Sequence, residues 1–467
     1  MILRLALRSL STRPIRTAVL AIGFGLGIAV MAELLGVGEV ILEQAHAPAL
    51  QGGGDLLVTG AVGQVDSARF LLSSVLGSSR FQSRTSAVSP SKRATLFLLA
   101  HGQATAISVR GGVPSREKAI GDAEVAGQDS WTDTPADAAW TNPAPGDVLR
   151  AMDRFHPVPE SEQKSWAEWL YFNGKSADGS LRFYLTFLAG AADASGRRPI
   201  LVRLQLNRSG RTTNYSTVST VDGSELLDRA PDLDVGGNRV RLNGLQYRIT
   251  LSLRGESTAA ALTGDIVLDA VRDRSLPPAE IHGAHGWVSG YVVPVLSGTF
   301  HGALHVGGEA VSVEGASGYH DHNWGFWEGV RWQWGQVAGG DVSIVYGRVF
   351  PPATVADASR IPGFLGVLGP DGPVAFSTDV SIDEENDGDR PNVITVRAGG
   401  RQVDLTMRLE VAESVTTRME LTRTAHGAMN FLQLGGRYRV TGKIGDHEVN
   451  FTARGSAETF RSGSSPP

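Results

Sequence analysis

The chain has 467 residues, of which 42% are hydrophobic and 19% charged, with a formal net charge of −5 at pH 7 and no cysteine. This length predicts two or three domains, and this composition is typical of a globular chain. The sequence has no basic patch with interleaved aromatic residues, which argues against nucleic-acid binding. The lack of cysteine excludes disulfides, thiolate catalysis and cysteine-ligated metal.

The N-terminus carries the pattern of a membrane anchor. Four arginines, the last of them Arg16, precede an apolar run from Ala18 to Ala32. An apolar stretch of roughly 20 residues can span a bilayer, and flanking arginines mark its cytoplasmic side. We therefore expect residues 1–45 to form a single-pass anchor in the cytoplasmic membrane, with the bulk of the chain in the periplasm. A cleaved signal peptide is the alternative, because a small-x-small motif follows the apolar run.

Two segments of different composition follow the anchor. The stretch RLALRSLSTRPIRTAVLAIGFGLGIAVM, followed by GGGDLLVTG, resembles the start of MacB/FtsX-type ABC transporter permeases. Such permeases have further membrane helices that the C-terminal part does not predict, so the resemblance implies an anchor or a contact with an ABC transporter component. Residues 46–111 are thus predicted to be a small extracytoplasmic segment. Residues 112–160, rich in Pro, Asp, Ala and Ser, are predicted to be a linker.

From Trp166 onward the sequence predicts short strands. Segments such as LRFYLTFLAG, PILVRLQLNR and QVDLTMRLEV alternate with period two and are separated by Gly, Asp and Asn. This texture is typical of an antiparallel barrel or sandwich. An internal repeat pairs EWLYFNGKSADGSLRFYLTF with RWQWGQVAGGDVSIVYGRVF, and it aligns Trp169 with Trp332, Tyr171 with Trp334, Tyr184 with Tyr346, and Phe187 with Phe350.

The repeat predicts two copies of one β unit. The predicted fold is therefore all-β, with two tandem lipocalin-like antiparallel barrels behind an N-terminal transmembrane helix. We place the first barrel at residues 161–316, the second at 317–462, and a disordered tail at 463–467.

Two motifs carry a family resemblance. EWLYFNG at 168–174 and GYHDHNWGFWEGVRWQWG at 318–335 resemble the hydroxyneurosporene synthase (carotenoid 1,2-hydratase) and AttH-like family, and ARGSAETF at 453–460 resembles its end. The resemblance covers roughly residues 160–460 and implies two lipocalin-like domains with an apolar cavity near their interface. In the hydratases a Tyr-x-Asp pair and an upstream His-x-Trp pair are linked to the chemistry. Tyr319 and Asp321 match the first pair, and His285 and Trp287 have the form of the second at a larger spacing.

The residues of 318–324 also indicate chemistry by themselves. On a strand they alternate between two faces, with Tyr319, Asp321 and Asn323 on one face and His320, His322 and Trp324 on the other. A carboxylic acid in an apolar cavity has a raised pKa and can protonate an alkene, while aromatic faces stabilise the resulting cation. We expect Asp321 to be a general acid or hydrogen-bond donor and Tyr319 to orient the ligand. Alternatively, Asp321 caps the loop that joins the two barrels.

Other residues of the motifs are candidates for ligand contact. The predicted ligand-binding set is His285, Trp287, His322, Asn323, Trp324, Trp327, Trp332, Trp334, Arg348, Glu168, Tyr171 and Asn173. Trp169 is instead predicted to close the bottom of the first barrel. An ion pair of Arg348 with Asp321 or Glu328 would keep a carboxylate ionised and argue against the acid role. His320 and His322 have a spacing that zinc or iron can use. The sequence shows no obvious carboxylate partner for them, so neither a metal nor a cofactor is predicted.

The sequence therefore predicts a membrane-anchored protein that binds an apolar isoprenoid- or polyketide-like molecule. We expect cofactor-free, acid-assisted hydration, isomerisation or cyclisation, the chemistry of a lyase or an isomerase. The alternative is a non-catalytic carrier of a lipid or other hydrophobic ligand beside an ABC export system. A closed pocket with a buried, unpaired Asp321 favours the enzyme, and a wide open cleft with Asp321 bonded to Arg348 favours the carrier.

Overall fold

The computed structural model describes residues 53–59, 84–100, 103–122, 130–141, 144–158, 166–258, 260–272, 274–370, 372–388, 390–420 and 428–462, with isolated positions elsewhere. Within these ranges no helix combines the length and the apolar character that crossing a bilayer requires. Apart from isolated positions, the predicted anchor at 1–45 and the predicted tail at 463–467 lie outside the described residues. The chain divides into two compact units, one of residues 1–65 and 86–137 and one of residues 66–85 and 138–467.

The first unit contains an antiparallel hairpin and short helices. Its elements are β1 (Ser91–Ala100), β2 (Gln103–Gly112), α1 (Pro114–Ala119) and a 3₁₀ turn (Pro135–Asp137). The guanidinium of Arg110, on β2, connects the hairpin to the segment that follows it. It contacts the buried Asp122 and lies 3.7 Å from the buried Glu117. Ser89 Oγ also donates to Glu117 Oε1 at 2.7 Å.

The second unit opens with two helices, α2 (Ala138–Thr141) and α3 (Pro145–Met152). Val148, Leu149 and Met152 fall on one face of α3 and pack into the hydrophobic core of the first sheet, and Phe155 follows them there. Residues 144–158, which the sequence predicts as linker, therefore belong to that core. The three apolar positions were too few to reveal a helix among so many Pro, Asp and Ala residues.

The first sheet is a closed eight-stranded barrel. Its ring runs β10-β12-β14-β3-β4-β5-β6-β9 and returns to β10, and β6 and β9 close it through Tyr215–Gly255 and Ser216–Arg254. β7 and β8 extend it beside β9, β11 and β13 pair with β12, and α4 (Gly223–Arg229) precedes β7. The strands are β3 (Trp166–Lys175), β4 (Leu181–Ala189), β5 (Arg197–Arg208), β6 (Arg211–Asp222), β7 (Leu233–Val235), β8 (Asn238–Asn243), β9 (Gln246–Gly255), β10 (Leu262–Ala270), β11 (Leu276–His282), β12 (Val288–Val306), β13 (Glu309–Ser312) and β14 (Ala316–Phe326).

The second sheet is an open half-barrel of nine strands in the order β18-β17-β16-β15-β23-β22-β21-β20-β19. The all-β fold and the first barrel are confirmed, but the second closed barrel is wrong. Edge strand β18 has 6 residues where β6 has 12, and edge strand β19 exposes acidic side chains that discourage pairing. The strands are β15 (Arg331–Gly339), β16 (Val342–Phe350), β17 (Phe364–Gly369), β18 (Gly372–Ser377), β19 (Asp379–Asp387), β20 (Arg390–Gly399), β21 (Val403–Glu420), β22 (Ala428–Ile444) and β23 (His447–Ser462).

The two sheets are copies of one topology. Read from β6, the first sheet runs β6-β5-β4-β3-β14-β12-β10-β9-β8, and the second runs β18-β17-β16-β15-β23-β22-β21-β20-β19. Each position in one series has its counterpart in the other, in the same chain order. The predicted repeat is therefore confirmed by topology. Its boundary differs, because strand Ala316–Phe326, which the sequence assigns to the second barrel, completes the first.

Two aligned pairs of the repeat, Tyr184 with Tyr346 and Phe187 with Phe350, are wrong. Tyr171 lies opposite Thr186 in the first hairpin and Trp334 lies opposite Gly347 in the second, so Val345 occupies the place of Tyr184. Tyr346 instead faces the core of the second sheet, where its hydroxyl lies 2.9 Å from that of Tyr438. The turns between the paired strands differ in length, and a shift of one residue moves a side chain to the other face. The same register gives Arg348, not Phe350, the position in the second hairpin that Phe187 has in the first.

Glycines make room for aromatic rings in both sheets. In four cross-strand pairs a Cβ on the glycine would overlap the opposite ring: Gly174 with Phe183, Gly290 with Trp324, Gly335 with Tyr346, and Gly347 with Phe364. These rings therefore lie flat over the neighbouring strand, and an L side chain at the glycine would displace them.

Gly318 tests this packing. It lies directly opposite Gly174, and a Cβ there would overlap Leu268 and the ring of Phe300. We expect Gly318→Ala to lower the free energy of unfolding by about 1–3 kcal/mol, because the barrel interior is overpacked. Urea unfolding of the full chain measures this. Gly111→Ala, at a strand position with open space, is the control and should change stability by less than about 0.5 kcal/mol. Equal stabilities of the two variants would contradict the packing argument.

Candidate functional site

Strand β14 divides the polar motif between two places, as the predicted alternation requires. Tyr319, Asp321 and Asn323 face the second sheet, and the Tyr319 ring lies 5.2 Å from that of Trp334. His320, His322 and Trp324 face the barrel interior, where the His322 ring lies 5.1 Å from Phe155. We call the first group with its partners the interface site, and the second group with its partners the barrel site.

A chain of hydrogen bonds runs through the interface site. Trp334 Nε1 donates to the Tyr291 hydroxyl at 2.9 Å, and the hydroxyls of Tyr291 and Tyr319 lie 2.7 Å apart. The Tyr319 hydroxyl donates to Asp321 Oδ2 at 2.8 Å, and Asn323 Nδ2 donates to Oδ1 at 2.8 Å. The Asp321 carboxyl is thus held by neutral donors only.

Asp321 has the environment of a protonated acid. Its side chain is 4% exposed, and burial, reinforced by the nearby charge of Glu458, raises its pKa well above the ordinary value. The hydrogen bonds from Tyr319 and Asn323 lower the pKa but do not outweigh burial. Because these partners are side chains, Asp321 does not have the capping role that the sequence left open.

Arg348 does not form the ion pair with Asp321 or Glu328 that the sequence left open. Arg348 Nη2 donates to the Ala358 carbonyl at 3.3 Å, and its guanidinium lies 4.9 Å from the centre of the Phe350 ring. In the part of the chain that the structure describes, no cation lies within ion-pair distance of Asp321. An unpaired Asp321 is one of the two features that favour an enzyme, and a closed pocket is the other.

A second buried carboxyl comes from the other sheet. Glu458 on β23 is 7% exposed and accepts a hydrogen bond from the Tyr171 hydroxyl at 2.6 Å. Burial raises the pKa of Glu458 to about 7, although hydrogen bonds from Tyr171 and Gln433 hold it down. The charge of an ionised Glu458 is one of the causes that raise the pKa of Asp321.

The two carboxyls occupy equivalent places in the repeat. Asp321 on β14 lies opposite Tyr171 on β3, and Glu458 on β23 lies opposite Trp334 on β15. β14 and β23 are topological counterparts, as are β3 and β15. The interface site is thus built where the two copies meet, with one acidic side chain from each.

Partly exposed aromatic rings lie beside this pair. Trp169, Trp332 and Trp327 contact each other with ring centres 4.7–5.7 Å apart. Trp332 also contacts Phe460 at 3.9 Å, and Phe460 contacts Phe431 at 4.6 Å. We call these five residues the aromatic cluster. Trp169 is predicted from the sequence to close the bottom of the barrel. On β3 it lies on the same face as Tyr171, which is turned toward the second sheet, and it lies directly opposite Asn323.

The barrel site is a buried group of acids and histidines. Glu168 Oε1 lies 2.7 Å from His156 Nδ1 and 3.0 Å from His322 Nε2, and the His156 backbone N–H also donates to it. Burial raises the pKa of Glu168, but the hydrogen bonds from His156 and His322 outweigh this and the net shift is downward. The interior therefore favours an ionised Glu168.

Asp153 completes the barrel site. His320 Nε2 lies 2.9 Å from Asp153 Oδ2, and the Tyr247 hydroxyl donates to the same oxygen at 2.6 Å. His320 stacks on Phe172 with ring centres 4.1 Å apart, and His156 stacks on Trp324 at 4.2 Å.

The structure separates the predicted site residues into three groups. Those at the interface are Tyr319, Asp321, Asn323, Tyr171, Trp334, Trp332, Trp327 and the buried Asn173. Those facing the barrel interior are Glu168, His322, Trp324 and Trp287. His285 is exposed in a 3₁₀ turn with a φ of 59°, and Arg348 packs on Phe350. The His285–Trp287 pair therefore does not lie with Asp321.

Several residues were missed by reading the sequence. Tyr291 lies in neither of the two motifs that carry the family resemblance, and Glu458 lies in the segment that resembles the family's end. Asp153 and His156 were assigned to the linker, and only the recognition of α3 would have placed them inside the barrel.

Comparisons with known proteins give structural similarity only. No family model and no curated protein matches the sequence. CghA bound to Sch210972 aligns with a TM-score of 0.43 at 13% identity, over 66% of this chain and 94% of that protein. An AttH-like protein from Nitrosomonas europaea aligns with 0.42 at 15%, over 65% and 99%. Kievitone hydratase from Nectria haematococca aligns with 0.41 at 14%, over 66% and 94%.

Proposed function

We propose that the protein binds an apolar, isoprenoid- or polyketide-like molecule between its two sheets and transforms it by cofactor-free acid–base chemistry. The observation that carries this proposal is Asp321, a buried carboxyl with a raised pKa whose partners are neutral donors. A structural carboxylate normally has a cation or several backbone amides, whereas a catalytic acid needs the protonated form near neutral pH.

The aromatic cluster supports an apolar ligand. Trp169, Trp327 and Trp332 keep part of their surface exposed while they touch one another beside Asn323. Flat apolar surface next to a few placed polar groups is typical of small-molecule sites. Indole faces also stabilise a carbocation, which is what protonation of an alkene produces.

The hydrogen-bond chain gives the proton a path. When Asp321 is protonated, its O–H donates to the Tyr319 hydroxyl, Tyr319 donates to Tyr291, and the Tyr291 O–H is free to point at the ligand. Tyr291 also accepts from Trp334, which fixes its ring. In this proposal the proton that leaves Asp321 is relayed through Tyr319 and reaches one alkene carbon from Tyr291.

Glu458 would accept the proton that the reaction releases. In a hydration, water adds to the carbon next to the protonated one, and its surplus proton passes to the Glu458 carboxylate. In an isomerisation a ligand carbon loses that proton instead, and in a cyclisation a second double bond first closes on the cation. The pKa of about 7 keeps Glu458 available as a base near neutral pH. Transfer of the proton back to Asp321 restores the starting state.

Native mass spectrometry of the detergent-extracted full chain tests ligand binding. We expect an apolar small molecule to remain bound, and Trp332→Ala to weaken its binding at least about tenfold, because Trp332 contacts both Trp169 and Phe460. Trp131→Ala, in the first unit, is the matched control and should bind as the wild type does. A wild type that neither retains such a molecule nor binds an added linear isoprenoid would contradict the proposal.

The anchor and the export partner remain predictions of the sequence. We propose a single-pass protein of the cytoplasmic membrane, with the two sheets in the periplasm and a contact with an ABC transporter component through the N-terminal segment. The arginine-flanked apolar run supports this placement. Release of the intact chain by carbonate washing would contradict the anchor. A protein that binds the molecule but never alters it would support the carrier.

A further inference from the structure

The barrel site contains three metal-ligating side chains that the proposed chemistry does not use. His156, Glu168 and His322 each offer one ligand atom, and these atoms all lie within 4.8 Å of one another. They come from three separate segments: the stretch after α3, strand β3 and strand β14. Two imidazoles and one carboxylate are a common ligand set for a divalent transition metal.

Two buried atoms beside this triad lack hydrogen-bond partners. His322 Nδ1 and Asp153 Oδ1 lie 3.7 Å apart, and both are inaccessible and unpartnered. If the proton of a neutral His322 is on Nε2, it bonds to Glu168, but His322 Nδ1 and Asp153 Oδ1 then face each other as two acceptors. If the proton is on Nδ1, it points at Asp153, but His322 Nε2 and Glu168 Oε1 then face each other as two acceptors at 3.0 Å. A cation between Nε2 and Glu168 removes this conflict and lets Nδ1–H point at Asp153, as metal-binding histidines usually do.

The charges of the barrel site also indicate a bound cation. Asp153 and Glu168 are both fully buried, and one guanidinium, that of Arg198, lies 3.8 Å from Glu168. Among the described residues no second fixed cation reaches the two acids. Buried carboxylates need compensation, and a divalent ion supplies it together with the missing contacts.

We propose that His156, Glu168 and His322 bind one divalent transition-metal ion, with zinc the favoured ion, and that Asp153 orients His322. Zinc bonds of about 2.0–2.2 Å place tetrahedral ligand atoms roughly 3.3–3.6 Å apart, so Glu168 Oε1 must move several tenths of an ångström away from each of the two imidazole nitrogens. The His156 side chain is 28% exposed, which gives it room to move and the ion a way in. The ion clamps the segment after α3 to the barrel wall, and this role is independent of the proposed function.

Metal binding is tested on the full chain, purified without a histidine tag. We expect one zinc per chain by elemental analysis after dialysis against Zn²⁺, and a tetrahedral visible spectrum with Co²⁺. Zinc should raise the Tm of the wild type, because it binds the folded state. His156→Phe keeps a ring on Trp324 but removes the ligand, and it should lose the zinc and the rise in Tm. His305→Phe, at an exposed position, is the control and should retain both.

Two results would overturn the proposal. One is a folded wild type that binds no zinc at micromolar concentration and shows no change in Tm, which would mean that a proton on one imidazole supplies the charge. The other is a His156→Phe variant with wild-type zinc affinity. Because His156 is the one partly exposed ligand of the three, this variant stays informative even where Glu168→Gln fails to fold.

Discussion

Replacing Asp321 by Asn is expected to lower the rate of ligand conversion by about 10²–10⁴-fold, the usual contribution of a general acid. The amide has nearly the same size and can still accept from Tyr319. It cannot deliver a proton, so only the chemical step should suffer. The measurement is single-turnover conversion of the molecule that the wild type retains, followed by mass spectrometry, with binding measured separately.

Asp383→Asn is the matched control, because Asp383 is an exposed aspartate on the second sheet, paired with Arg397. It should convert the ligand at the wild-type rate. Asp321→Asn should unfold at a urea concentration close to that of the wild type, since the amide has the size of the carboxyl and still accepts from Tyr319. Unchanged conversion by a folded Asp321→Asn would remove Asp321 from the mechanism.

Replacing Glu458 by Gln is expected to stabilise the protein above neutral pH. The pKa of Glu458 rises from an ordinary 4.5 to about 7 on folding, so the folded state binds the proton more tightly. The stability that this contributes is fully present below about pH 4.5 and is lost as the pH rises through 7. At 1.36 kcal/mol per pKa unit the wild type loses about 3 kcal/mol over this range, and Glu458→Gln does not. The variant should therefore be more stable than the wild type at pH 8.

Urea unfolding at a series of pH values between 4 and 8 measures this effect. Glu448→Gln, an exposed position on the same strand β23, is the control and should follow the wild-type curve. Parallel pH dependences of wild type and Glu458→Gln would mean that Glu458 does not titrate in this range. The glutamine can still accept from Tyr171, so a loss of that hydrogen bond does not confuse the result.

The sequence predicted which side chains share a face of a strand better than it predicted which sheets close into barrels. Period-two alternation was enough to place Tyr319 and Asp321 on one face of β14 and His320 on the other. Closure of a barrel depends on pairing between strands distant in sequence, and a strand of six residues at 372–377 looks no different locally from one that pairs twice. The pairing of Tyr184 with Tyr346 failed for a related reason, because turn length sets the register.

The interface site was predicted in part. The resemblance named Tyr319 and Asp321, and both lie at the meeting point of the two copies. Tyr291 and Glu458 reach that point only through the packing of the two sheets, which no local pattern reveals. His285-Gly286-Trp287 has the form of the His-x-Trp pair but does not lie with Asp321, because Trp287 packs in the apolar core of the barrel.

The two copies of the repeat carry different side chains at equivalent positions, and this difference affects the direction in which a ligand can lie between them. A face that met its own duplicate would accept a long molecule equally well head-first or tail-first. Tyr171 corresponds to Trp334, and Asp321 corresponds to Glu458, so these equivalent positions now carry different groups. Under the proposed function, the reacting double bond would therefore meet a proton donor on one side and a proton acceptor on the other, and this unlike pair would set which carbon is protonated.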